Sequence, residues 1–164
     1  ISRKIAFKMK TYNILSIDEF KTIIGKNSRL LGIDPGNKNI GFAISDENKI
    51  VATPLRIVKK IKFDLLVKEI NQIIEENNIR GIIIGNPINM DGTYGKSSQS
   101  ATDFAKNLSK NITIPISMWD ERLSSEGSFK LTQKLGTNIT NRVSKLDKNA
   151  AAFILQGALD YLTN

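Results

Sequence analysis

The sequence predicts one α/β domain in three layers, a sheet held between two sets of helices, and three observations carry that reading. Apolar runs from Leu30 to about Leu55 are separated only by turns, as in a meander of three strands. Beyond them, strand-like and helix-like patterns alternate, which calls for helices packed on a sheet. The unbroken run Gly81-Ile82-Ile83-Ile84, arriving after a helix, has the composition of a parallel strand buried on both faces.

Composition narrows the chemistry. The 164 residues make one domain with a sizeable core, and a hydrophobic fraction of 40% with 24% charged residues is ordinary for a globular protein. No apolar run approaches a membrane span of about 20 residues, and no secretory h-region is present; a cytoplasmic protein is expected. With no cysteine and no histidine, thiol and imidazole catalysis and zinc ligated by those groups are excluded. Carboxylates and lysines are left to carry any catalysis, and carboxylates alone select hard cations, Mg²⁺ or Mn²⁺. The net charge of +8 points to a polyanionic partner, nucleic acid before membrane.

In chain order, residues 1–28 read as an N-terminal extension with a short helix, and residues 29–164 as the main domain. The box Ser16-Ile17-Asp18-Glu19 opens that helix, and Gly25 can close it. Leu30 to Ile33 then form a strand that delivers Asp34 to its carboxyl end, beside the turn residues Pro35-Gly36-Asn37. A carboxylate capping its own turn is the plain alternative. Phe42 to Ser45 start the second strand, Asp46 to Lys49 turn the chain, and Pro54 predicts that the third strand ends close by. Phe63, Leu66, Val67, Ile70, Ile73 and Ile74 repeat with helical spacing, and Asn77-Asn78 stop the helix.

After the Gly81 strand comes the polar loop Gly85-Asn86-Pro87-Ile88-Asn89-Met90-Asp91-Gly92, running on through Lys96 to a helix start near Ser98. Met90 occupies a position where a phosphate-binding P-loop needs glycine, so that motif fails. A loop this long at a strand's carboxyl end still suits phosphate contacts. The strand from Ile112 to Trp119 delivers Asp120-Glu121-Arg122, a second acidic strand tip; a plain surface pair is the alternative. The turn-rich stretch from Gly136 ends in basic residues, Arg142 and Lys145. The last helix begins near Leu146-Asp147, where Asp147 shares a face with Ala150, Ala151, Ile154, Leu155 and Ala158. An Asp on that apolar stripe would be costly without a partner.

Asp34, Asp120 with Glu121, and Asp147 therefore stand at the ends of buried elements, where ligand crevices of open α/β sheets lie. Carboxylates converging without His or Cys repel one another unless a divalent cation bridges them. Paired cations can activate water against a phosphodiester, so metal-dependent phosphodiester hydrolysis is the expected chemistry.

Four stretches occur in the order of one family: Ile33 to Gly41, Gly85 to Gly92, Asp120 to Ser124, and Lys145 to Ala151. Over roughly residues 30–162 the chain resembles the YqgF (RuvX) family, whose members are named as Holliday junction resolvases or pre-16S ribosomal RNA nucleases. Pro35 departs from the family's frequent aromatic residue, and Asn86 from a common apolar or aromatic one; neither removes a carboxylate. The resemblance implies a ribonuclease H-like fold, with a five-stranded mixed sheet of three antiparallel strands followed by parallel βαβ units, flanked by helices. It also implies an acidic metal site of Asp34 and Asp147 completed from Asp120-Glu121-Arg122. Strand alternation groups Asp120 with Ile114, Ile116 and Met118, and Glu121 with Trp119. Asp120 is the favoured metal ligand beside Asp34 and Asp147, with Glu121 kept as a further catalytic candidate. Lys38, Asn89, Lys96, Arg122, Arg142 and Lys145 are the candidate nucleic-acid contacts. The expected activity is an Mg²⁺- or Mn²⁺-dependent endonuclease that processes pre-16S ribosomal RNA, in a monomer or weak homodimer that makes no membrane contact. Resolution of branched DNA and a non-catalytic role as an RNA-binding ribosome assembly factor are the alternatives.

Overall fold

A computed structural model describes residues 13–123 and 150–164 of the chain. Its centre is a mixed sheet of strands β1 (Ile14–Leu15), β2 (Arg29–Pro35), β3 (Asn39–Ser45), β4 (Ala52–Lys59), β5 (Ile79–Asn86) and β6 (Ile116–Asp120), in the order β1-β6-β5-β2-β3-β4. β2, β3 and β4 form the antiparallel meander, and β5 and β6 add in parallel to β2. Among the described residues the α-helices are α1 (Ile17–Ile23), α2 (Phe63–Asn77), α3 (Lys96–Ser109) and α4 (Ala150–Leu162).

Two cores lie on the two faces of the sheet. Leu31, Ile33, Phe42, Ile82, Ile84 and Ile116 pack on α2 and α3 through Leu66, Ile70, Ile73 and Leu108. Leu30, Ala43, Ile83 and Trp119 face α4 through Ala151, Ile154, Leu155 and Ala158. Alternation along each strand produces this division, since successive side chains leave opposite faces. The small residues bring α4 close. A Cβ on Gly32 would lie 2.8 Å from Leu155 Cβ and 3.1 Å from the Ala151 carbonyl oxygen, so glycine is required there for contact.

Among the described residues the sheet has six strands where five were expected. The extra strand, β1, is two residues pairing in parallel with Ile116 and Ser117 at the edge. Residues 13–28 are also built into the body. The Ser16–Glu19 capping box forms as predicted, and Phe20 of α1 is fully buried in the α4-side core, against the space left by Gly81. Pro54 does not end β4, which continues to Lys59. β4 is an edge strand, and the register shifts opposite Phe42 and Ala43, so the missing N–H is tolerated. Asn78 closes α2 in the left-handed conformation, φ 52°, as its place after the apolar stripe predicts. No helix among the described residues is long and apolar enough to cross a membrane.

Candidate active site

The carboxyl ends of β2, β5 and β6 lie side by side. Ile33 pairs with Ile84, and Ile84 with Met118, so Asp34, Gly85 and Trp119 form the next row across the sheet. Asp34 follows Leu30 and Gly32 by alternation, which puts it on the α4 face. β6 ends at Asp120, and the turn Glu121–Leu123 carries Glu121 beyond Trp119 on that same face. Gly85 lies between the two acids. A Cβ there would stand 2.5 Å from Ile154 Cδ1, whose end would have to shift, and 3.4 Å from Glu121 Cδ, in van der Waals contact with the carboxyl.

Asp34 and Glu121 line one cleft of about 250 Å³, together with Pro35, Gly36 and Asn37 of the β2–β3 turn, Pro87, and Ser97, Ser100 and Ala101 of α3. Burial raises the Asp34 carboxyl above its ordinary range. Glu121 is pushed from an ordinary 4.5 to about 7, first by burial and then by the negative charges of Asp34 and Asp120. The cleft thus holds two acids that cannot comfortably ionise together.

Asp120 is placed differently. Its carboxylate accepts from the Arg122 guanidinium through both oxygens, at 2.7 Å from Nη2 and 3.0 Å from Nε, and also from the Arg122 backbone N–H at 3.0 Å. The Arg122 hydrogen bond holds Asp120 below its ordinary value. Strand parity accounts for this placement: Asp120 leaves β6 on the face of Ile116 and Met118, as alternation predicts and opposite to Asp34, and is absent from the lining of the cleft.

The remaining candidates divide. Lys38 is exposed beside the cleft's turn, and Lys96 is exposed at the first position of α3, two residues before the expected start. Asn89 is engaged within the loop, accepting the Gly92 backbone N–H on its own carbonyl oxygen at 2.8 Å while its side chain donates to Thr93 Oγ1 at 3.0 Å. Asp147, Arg142 and Lys145 lie outside the described residues. Among the described residues no group of three potential metal ligands forms. Sequence reasoning passed over Ser97 and Ser100 in the cleft wall. The strand-to-helix tie that sets them, Ser98 Oγ donating to Asn86 Oδ1 at 2.6 Å, has no signature in the sequence.

Comparison with solved structures bears on the fold. RuvC of T. thermophilus, determined in complex with a Holliday junction substrate, matches with a TM-score of 0.54 at 15% identity over 83% of this chain and 96% of that one. The meander followed by parallel βαβ units, with helices on both faces, defines a ribonuclease H-like domain. Within that class the chain belongs to the RuvX family: residues 28–161 match the family described as "RuvX: Holliday junction resolvase". A Pelagibacter ubique protein named "Putative pre-16S rRNA nuclease" is 48% identical over 151 residues, 92% of this chain and 100% of that one. A Ruegeria pomeroyi protein of the same name is 42% identical over 149 residues, 91% and 97% of the two chains.

Proposed function

We propose that this chain is a divalent-cation-dependent endonuclease that cuts RNA, with the precursor of small-subunit ribosomal RNA as its substrate in the cytoplasm. The observation that carries this reading is the cleft in which Asp34 and Glu121 meet, both raised toward the neutral form by burial and Glu121 also by repulsion. Such a pair has a natural counterion in a hard cation. The donor set, oxygen without His or Cys, fits Mg²⁺ or Mn²⁺. Asp34 and Glu121 would hold the cation, and Asp147, four residues before Ala151 in the sequence, is the third ligand in this proposal. When bound, such an ion supplies Lewis acidity to a phosphodiester and an acidified water.

The protein's own part is positioning. The β2–β3 turn and the α3 wall confine the substrate phosphate beside Asp34, and Ser97 and Ser100 offer hydroxyl donors there. Asp120 fixes Arg122, and Arg122 Nη1 would lie 3.6 Å from a Cβ on Gly92, so the guanidinium stands against the β5–α3 loop. Lys38 and Lys96 add positive charge around the cleft, which favours a polyanion. The names of the close relatives support ribosomal RNA as the substrate. The family description keeps branched DNA as the second reading.

The test is cleavage by the full chain of an RNA spanning the end of the small-subunit sequence and of a four-way DNA junction, each with Mg²⁺, Mn²⁺ or EDTA. Metal-dependent cutting of the RNA is expected. Cutting of the junction alone would assign the resolvase reading, and binding without cutting of either would assign a non-catalytic assembly role.

A further inference from the structure

A second groove of about 220 Å³ opens from the active-site cleft and shares Pro35, Gly36, Asn37 and Ser100 with it. Its character is different. The floor is apolar, formed by Ile40 and Leu66, and its walls are Ile61 and the edge-on pair Phe63 and Phe104, with ring centroids 6.1 Å apart at 85°. Among the described residues, Lys60 is the one charged residue of its lining, which includes no carboxylate.

The surroundings are basic. The Lys60 N–H donates to the Lys38 carbonyl at 2.9 Å, and Lys59 pairs with Asn39 across the β3–β4 ladder. Lys38, Lys59, Lys60 and Lys62 are all exposed, so positive charge gathers where the apolar groove meets solvent. An acidic cleft thus continues into an aromatic slot rimmed by lysines. A nucleotide has that profile: a flat ring with apolar faces, joined through a sugar to phosphates on both sides.

We propose that this groove receives the unpaired base of the nucleotide next to the scissile phosphate, with Lys60 on that nucleotide's outer phosphate. The proposal rests on the nuclease reading and extends it, because a base held here cannot also be paired in a duplex. The substrate at the cut is therefore single-stranded or locally opened. Phe63 and Phe104 supply ring contacts, and Asn37 and Ser100, on the shared lip, can reach the sugar or base edge.

The test uses the full chain with Mg²⁺ and a single-stranded RNA oligonucleotide in two series. In one, an abasic residue replaces each position in turn; in the other, 2-aminopurine does, and its emission is read on binding. The expected result is one position flanking the cut where base removal raises KM about tenfold, the scale of one lost stacking contact, with a 2-aminopurine emission change at that same position. Ile61→Asp, an exposed change that leaves the core intact, and Phe104→Leu, which keeps bulk but removes the ring, should each abolish the discrimination between intact and abasic RNA. Equal cutting of intact and abasic RNA at every position, or discrimination that survives both substitutions, would overturn the proposal. Positional emission changes without any cutting would uphold the groove and refute the nuclease reading, whereas no binding to RNA would refute both.

Discussion

Asp34 and Glu121 stand on the same face of the sheet with Gly85 between them, while Asp120, one residue before Glu121, faces away and binds Arg122. Adjacent acids at one strand tip are thus sorted by parity into a cleft residue and an anchor for an arginine. This geometry separates the expected effects of substitutions that look alike on paper.

Glu121→Gln should therefore abolish cleavage, whereas Asp120→Asn should leave much of it. The Asp120 change frees Arg122, so its effect should fall mainly on KM. Steady-state kinetics on one RNA substrate would separate the two. Equal losses of kcat would return Asp120 to the reacting centre.

Asp34→Asn should bind RNA as the wild type does and cut none. The amide keeps the shape of the carboxylate but removes the charge that would hold the cation and act on the transition state. Binding by fluorescence anisotropy and cleavage in parallel would check this. Lost binding would assign Asp34 to substrate affinity instead.

The metal-free protein should lose stability as pH rises from about 5 to 8. Glu121 titrates at about 7 when folded against 4.5 ordinarily, so across that window the folded state binds more protons than the unfolded one. Stability must then fall with pH, and the penalty is complete above the folded value. Glu121→Gln should flatten the profile and melt higher at pH 8. Saturating Mg²⁺ should raise the wild-type Tm at pH 8 but not that of Asp34→Asn. Thermal melts across that pH range, with and without Mg²⁺, decide both points.

Affinity for RNA should fall at least tenfold between roughly 50 and 200 mM salt, because phosphate contacts from a chain of net charge +8 release counterions. Lys60→Ala and Lys96→Ala should each lower the slope. A flat salt profile would mean that the charge serves something other than binding.

Phe20→Ala should destabilise the domain by about 3–5 kcal/mol, the cost of deleting a buried aromatic ring. Chemical denaturation would measure it. A loss below about 1 kcal/mol would make α1 a loosely docked appendage.

Much was legible in the residues themselves. Turn chemistry at Pro35-Gly36-Asn37, helical spacing from Phe63 to Ile74 and the run Gly81 to Ile84 are local signals, and local sterics and periodicity are written directly into sequence. So was the exclusion of thiol and imidazole chemistry, which follows from a chain without His or Cys. What only the tertiary structure decided was facing. β2 and the strand before Asp120 are apolar on both sides, so nothing in either run tells which alternate residues share a face with those of the other. That relation exists only once β2, β5 and β6 are paired in register, and it put Glu121, not Asp120, beside Asp34. The joining of residues 14–23 to the sheet was hidden for the same reason. Phe20 and Gly81 lie sixty-one positions apart, and the space one leaves for the other is a property of packing, which no short stretch of sequence contains.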